Sequence, residues 1–176
     1  LLAGKSGAAP ITHFDTAQFD TTFACEVKDF NADDYLDKKE ARRMDFFTHF
    51  ALAATKQAID DADLEKYSGL DKDRVGVIIG SGIGGMGTFE REHRKLVEKG
   101  PSRISTFFIP MMIADIAPGH IAIQYGFKGP NYSTISACCS SAHAIGNAYH
   151  SIMRDEVDVM ITGGSEAAIT PMGIGG

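Results

Sequence analysis

Cys138 is the residue of this chain whose neighbours best suit covalent chemistry. It stands where a short strand over residues 132–136 empties into Ala137-Cys138-Cys139-Ser140-Ser141, followed by a helix expected to run to about Arg154. A cysteine at such a junction sits at the positive end of the following helix, where unpaired backbone N–H groups favour the thiolate over the thiol. The thiolate is the nucleophile, so this position activates sulfur without a neighbouring base. The same N–H groups can hold a developing oxyanion. A sharp turn lifts the side chain into the open, much as a nucleophile elbow does. The small neighbours Ala137, Ser140, Ser141 and Ala142 leave room for a substrate. Spacing alone suits a buried, inert cysteine equally well. It also leaves open which of Cys138 and Cys139 reacts; if Cys138 faces the opening, Cys139 is expected to point into packing.

A second feature is the run Gly80-Ser81-Gly82-Ile83-Gly84-Gly85-Met86-Gly87, directly after a β-branched stretch. It loosely matches a dinucleotide-binding glycine pattern. The acidic residue that such a site needs on a second strand about 20 residues later is missing, and a helix follows instead. A loop that lets backbone pass close to a ligand or another chain is the better reading.

The elements that must position these residues follow from periodicity. Residues 8–36 are loop-rich, with Phe14, Phe19, Phe23 and Phe30 scattered among turn-forming residues. Asp37 has the character of an N-cap, with Glu40 three residues on as in a capping box. Met44, Phe47, Ala51, Ala54 and Ala58 then form a helical stripe, which predicts one helix to about Ala62. Residues 74–79 predict a buried strand. A polar helix is expected over 88–99, stopped by Gly100-Pro101. A mostly apolar helix is expected over 107–125, broken or kinked near Pro118. The helix after Cys138 is expected to turn Ala142, Ile145, Tyr149, Ile152 and Met153 inward, and residues 157–162 form another strand ending at Gly163-Gly164. Strand, turn and helix alternate, so the class is α/β with a substantially parallel sheet. Residues 1–176 read as one domain.

Composition excludes several roles. The hydrophobic fraction of 44% and charged fraction of 23% are ordinary for a soluble globular chain. A net charge of −6, with signs mixed and no basic tract, argues against a nucleic-acid partner. Lys38, Lys39, Arg42 and Arg43 form a local basic cluster, either a docking patch for an acidic partner or a solvated helix face. Three cysteines, two of them adjacent, make a poor disulfide framework and point to a reducing cytosol. No CxxC or His-rich spacing suggests a metal. No apolar run approaches the roughly 20 residues that span a bilayer, so no membrane role is expected. The first residues resemble a helix tail and the last a glycine-rich loop, so a segment of a longer protein is expected.

At Asn131-Tyr132-Ser133-Thr134-Ile135-Ser136-Ala137-Cys138 the chain resembles the condensing enzymes of fatty acid synthesis, the β-ketoacyl-acyl carrier protein synthases, most closely their type II branch. Matching blocks recur in order at residues 1–7, 11–15, 27–30, 39–45, 79–85, 100–101, 107–110, 129–132 and 158–171. The resemblance implies a thiolase-like α/β fold, of which this chain is the first half, lacking the first strand and the C-terminal half. It implies that Cys138 receives an acyl chain as a thioester, with its own N–H as half of an oxyanion hole. It implies that Ile83 lines the acyl pocket and helps set chain length, and that Phe108 reaches the neighbouring subunit's pocket in a homodimer. The strand before Cys138 matches one that pairs across that dimer. The implied partner is acyl carrier protein; no metal or resident cofactor is implied, because phosphopantetheine arrives on the carrier. The implied reaction is decarboxylative condensation with malonyl-acyl carrier protein, in the cytoplasm. A polyketide ketosynthase and a non-catalytic dimerisation or docking half are the alternatives.

His143, His120 and Glu166 are not assembled into a triad with Cys138. His143 lies five residues on, about one and a half helical turns, and should face away from the site. The family's catalytic histidines and lysine lie further downstream than residue 176. Departures from the family pattern are Cys139 after the nucleophile, Asp63 where a glycine commonly ends a helix, and Asp115 and Pro118 in the apolar helix.

Overall fold

The computed structural model describes residues 2–176. In chain order its elements are β1 (Ala9–Pro10), β2 (Phe23–Ala24), α1 (Lys38–Ala41), α2 (Phe46–Asp61), β3 (Val75–Gly80), α3 (Met86–Lys99), α4 (Phe108–Met112), α5 (Ile116–Tyr125), β4 (Asn131–Thr134), α6 (Ser140–Met153), β5 (Val159–Gly164) and α7 (Pro171–Gly175). The helix tail expected at the start falls partly on Leu1, outside the described residues; Leu2 and Ala3 form a turn.

The centre is a three-stranded parallel sheet in the order β4-β3-β5. Val77 lies opposite Asn131 on one side and Ile161 on the other. All six residues of β3 are buried, as expected for a central parallel strand covered on both faces. Alternation divides its side chains between those faces. Val75, Val77 and Ile79 join Phe47, Leu52 and Ile59 of α2 and Ala117 and Ile121 of α5 in the main core. Ile78 points the other way, against Ala144 and Ala148 of α6. Fully burying each large aliphatic side chain contributes about 1.5–3 kcal/mol, so the α2–α5 side supplies most of the cohesion.

Several expectations are corrected. The helix expected from Asp37 to Ala62 is two helices. Asp37 does cap α1, its carboxylate accepting from the N–H groups of Lys39 and Glu40, but Glu40 pairs with Arg43 at 3.6 Å. The chain turns at Arg42 and restarts at Asp45, whose carboxylate accepts from Phe47 N–H. It also accepts from the N–H and Oγ1 of Thr88, at 2.8 and 2.6 Å. Ala54 and Ala58 are exposed, while Leu52 and Ile59 are buried. The bulky aliphatic residues, with more apolar area than the alanines, decide which face turns inward.

The apolar helix breaks at Ile113–Asp115 rather than at Pro118. Pro118 is buried in the first turn of α5, where a missing N–H removes no hydrogen bond. Asp115 is exposed and its carboxylate accepts from Ser133 N–H at 2.9 Å, tying the start of α5 to β4. Asp63 adopts φ 49°, the left-handed conformation a glycine would fill most easily. The glycine-rich end is in part helical, as α7, with Thr170 capping it through Gly173 N–H.

The inward face of α6 is also corrected. Ser140, Ala144, Ala148 and Ser151 are buried, whereas Ala142 is exposed and Ile145, Tyr149, Ile152 and Met153 are 45–65% exposed. The reason is distance. At Gly80 an added Cβ would collide with the carbonyl carbon and oxygen of Ser140, and at Gly164 it would lie 2.7 Å from Ser141 Cβ. A helix this close to the sheet admits only small residues between them, so the large ones face outward.

Gly80→Ala is therefore expected to destabilise the protein by about 1–3 kcal/mol through overpacking. At Gly119 in α5 an added Cβ would meet nothing within 4 Å, so Gly119→Ala should be neutral or stabilising by up to about 1 kcal/mol. Urea melts of the two variants check the contrast; equal effects would contradict it.

Candidate active site

The carboxyl ends of β3 and β5, and the turn that follows β4, converge on one cleft. Its volume is about 500 Å³, and its walls include Ser81, Ile83, Cys138, Ser141 and Glu166. Ligands in open α/β sheets bind at this end of the strands.

Cys138 lies in a 3-10 turn, Ala137–Cys139, that runs directly into α6. Ala137 has φ 50°, an uncommon conformation for a residue with a Cβ and a mark of a tightly held turn. The turn is stitched by the first residue of α6. Ser136 N–H donates to Ser140 Oγ at 2.9 Å, Ser140 Oγ donates to the Ala137 carbonyl at 2.7 Å, and Thr134 Oγ1 donates to the Ser140 carbonyl at 2.8 Å. Cys139 N–H is engaged by the Ser136 carbonyl, while Cys138 N–H meets no acceptor among the described residues. Cys138 is exposed. The site thus presents a thiol, with a free backbone donor beside it, at the start of a 14-residue helix. That arrangement suits attack on a carbonyl carbon with the developing oxyanion held by backbone N–H.

Ile83 faces the same cleft from the glycine-rich loop and is 50% exposed. The loop is glycine-rich for packing as well as access: Cβ atoms at Gly84 and Gly85 would collide with the backbone of Met111 and Met112. The sequence pointed to a ligand or another chain beside this loop; at Gly84 and Gly85 the backbone that comes close is the chain's own α4.

The family model described as beta-ketoacyl synthase, N-terminal domain, matches residues 1–176. The chain belongs to this family. The 3-oxoacyl-[acyl-carrier-protein] synthase 2 of Staphylococcus aureus (strain N315) is 49% identical over 175 residues, covering 99% of this chain and 42% of the relative. The protein of the same name from Synechocystis sp. is 49% identical over 176 residues, covering 100% of this chain and 42% of the relative. The chain therefore spans less than half the length of these curated relatives. Among solved structures, the ishigamide ketosynthase/chain length factor superposes with a TM-score of 0.82 at 26% identity, over 97% of this chain and 43% of that one. A type II PKS acyl-carrier protein in complex with its ketosynthase bound to the hexaketide gives a TM-score of 0.77 at 25% identity, over 84% and 42%. The fold is thiolase-like, the α/β class expected from the sequence.

Within this β-ketoacyl synthase domain, the cleft joins Cys138 and Ile83 but not every residue singled out from the sequence. Phe108, at the start of α4, is partly buried beside Phe89, with ring centroids 6.5 Å apart, and does not line the cleft. Cys139, at the end of the 3-10 turn, is exposed and not packed as expected. His143 also stays out of the cleft; its Nδ1 lies 2.6 Å from Ser136 Oγ, so the ring folds back onto the turn. His120 sits in α5, where burial pushes its imidazole below the ordinary histidine value, opposed by the charge of Glu40. Glu166 does line the cleft, and sequence reasoning assigned it nothing. No local pattern could have pointed to it, since its partners lie more than 80 residues away.

Ser140→Ala removes an acceptor and a donor at a buried position, leaving Ser136 N–H without its partner. A loss of about 1–3 kcal/mol is expected. A urea midpoint equal to wild type would show that the turn holds without this hydroxyl.

Proposed function

We propose that the chain is the nucleophile-bearing part of a 3-oxoacyl-[acyl-carrier-protein] synthase of the type II branch. The observation that carries this reading is Cys138 standing exposed at the start of α6, in one cleft with Ile83. In the first step the thiolate attacks the carbonyl carbon of an acyl-carrier thioester. The tetrahedral oxyanion collapses, the carbon–sulfur bond to the carrier breaks with the carrier leaving as its thiolate, and Cys138 holds the acyl chain. In the second step malonyl-acyl carrier protein loses carbon dioxide, and the carbanion that results attacks the acyl-Cys138 carbonyl. The C–S bond breaks, Cys138 returns as thiolate, and the product is a 3-oxoacyl chain two carbons longer on the carrier. Dividing the reaction in this way is covalent catalysis. Cys138 N–H serves as one oxyanion donor in both steps.

The same reading assigns the remaining parts. Acyl carrier protein delivers the chain on its own phosphopantetheine, so the protein needs no resident cofactor or metal. Lys38, Lys39, Arg42 and Arg43, all exposed on and beside α1, offer an acidic carrier a positive surface. β4 is an edge strand, with Asn131 and Tyr132 exposed, and suits pairing with a second copy in a homodimer. In that dimer Phe108 would reach the partner's pocket. The apolar outer face of α6 suits contact with a region of the kind that the longer relatives carry. A cytoplasmic location fits the free cysteines; no helix among the described residues is long and apolar enough to cross a membrane. The 49% identity to proteins named 3-oxoacyl-[acyl-carrier-protein] synthase 2, against 25–26% to the two ketosynthase structures, favours the former class.

Incubation with an acyl-carrier thioester should give an acyl adduct on Cys138 by mass spectrometry, absent in Cys138→Ala. An adduct on Cys139 or Cys25 in its place would refute the assignment. Residues 1–176 alone are expected not to complete an elongation cycle. Turnover by this segment near that of an intact synthase would contradict the need for histidines and a lysine beyond it.

A further inference from the structure

Glu166 is the only carboxylate lining the Cys138 cleft among the described residues. It follows β5, whereas Ile83 follows β3. Both of its oxygens are committed to the glycine-rich loop. The N–H groups of Gly82 and Ile83 donate to Oε2 at 2.6 and 3.2 Å, and Ser81 Oγ donates to Oε1 at 3.2 Å. Ser81 Oγ in turn accepts from Gly84 N–H at 3.1 Å. Every loop residue from Ser81 to Gly84 is thus tied to one carboxylate, directly or through one hydroxyl. Hydrogen bonds to an ionised acceptor are about twice as strong as neutral ones. The contact is close as well as charged: a Cβ at Gly82 would lie 2.9 Å from Oε2.

The backbone that carries Glu166 is itself fixed. Ser165 N–H donates to the Gly80 carbonyl at 3.0 Å, and Ser165 Oγ donates to the Phe47 carbonyl at 2.7 Å. At its far end the loop is held to α4 through Gly85 N–H and the Met112 carbonyl, at 2.9 Å. Residues 82 and 83 lie between these anchors, and their backbone N–H groups bond to Glu166. The carboxylate thus holds the backbone that carries Ile83, which lines the same cleft as Cys138.

We propose that Glu166 is a positioning residue that sets the acyl-length preference of the cleft by holding the Gly82-Ile83 backbone. This rests on the reading that the cleft accepts an acyl chain onto Cys138. Glu166 has both oxygens engaged by the loop. Its effect passes through the placement of the Ile83 side chain, which meets the chain rather than the reacting carbonyl.

The test is the rate of Cys138 acylation by a series of saturated acyl-carrier thioesters, from short to long, in the wild-type protein and its variants. Glu166→Ala should change the ratio of long-chain to short-chain rates by about tenfold or more, the scale on which an apolar pocket discriminates by fit. Glu166→Gln keeps an acceptor for the two N–H groups and should restore the ratio to within about threefold of wild type. If Glu166→Ala does not fold, Ser81→Ala, which removes only the hydroxyl link, should shift the ratio in one direction by about threefold. A uniform fall at all lengths, or an unchanged ratio in a folded Glu166→Ala or Ser81→Ala protein, overturns the proposal while leaving the acyl-transfer reading intact. Wild-type protein that takes no acyl group from any donor overturns both.

Discussion

The close seating of α6 on the carboxyl ends of β3 and β5 is the constraint on which the rest of the structure depends. Gly80 and Gly164 have no side chains where Ser140 and Ser141 pass. That absence lets the helix start directly above the sheet. The chain leaving β4 must then turn within a few residues to reach it, which accounts for the left-handed Ala137 and the 3-10 turn. Cys138 is at the crest of that turn. Its exposure is thus a consequence of backbone packing two residues away rather than of any feature of the cysteine itself. The same closeness sorts the helix, with serine and alanine against the sheet and isoleucine, tyrosine and methionine on the outer face.

Acidic side chains perform much of the remaining assembly. Asp45 joins the start of α2 to α3 through Thr88, Asp115 joins α5 to β4 through Ser133, and Glu92 joins α3 to the turn before α4 through Ser105 N–H. Glu166 joins the segment after β5 to the loop after β3. Each is a carboxylate accepting from backbone N–H groups of a distant segment. Loops cannot satisfy their own backbone donors as helices and strands do, and a carboxylate offers several strong acceptor sites at once. Glu166 and Glu92 hold loop backbone in this way, by side-chain cross-links where the regular elements have ended.

The alternation of strands and helices, the buried β3, the polar α3 stopped by Gly100-Pro101 and the strand-turn-helix around Cys138 were all legible in order along the chain. They depend on patterns within a dozen residues: β-branched runs, glycine and proline punctuation, and helical periodicity. Asp45 as a second N-cap was legible in principle, a capping residue standing directly before Phe46, but the apolar stripe running past it concealed the break. Pro118 misled for the opposite reason. A proline is disruptive inside a helix and harmless in its first turn, so its meaning depends on where the helix begins.

What the sequence determined by itself is local: which segments are strands, and that the adjacent Cys138 and Cys139 stand where a strand turns into a helix. Family resemblance added Cys138 as the nucleophile and Ile83 as a lining residue of an acyl pocket, and the structure puts both in one cleft. Tertiary structure alone decided which face of α6 turns inward, that Cys139 lies exposed, and that Glu166 meets the loop of Ile83. The physical reason is that these outcomes depend on how closely two elements approach. That distance is set by the bulk of residues on both partners at once, and by backbone donors left unpaired more than 80 residues away from the side chain that satisfies them. Periodicity along one segment carries no record of either.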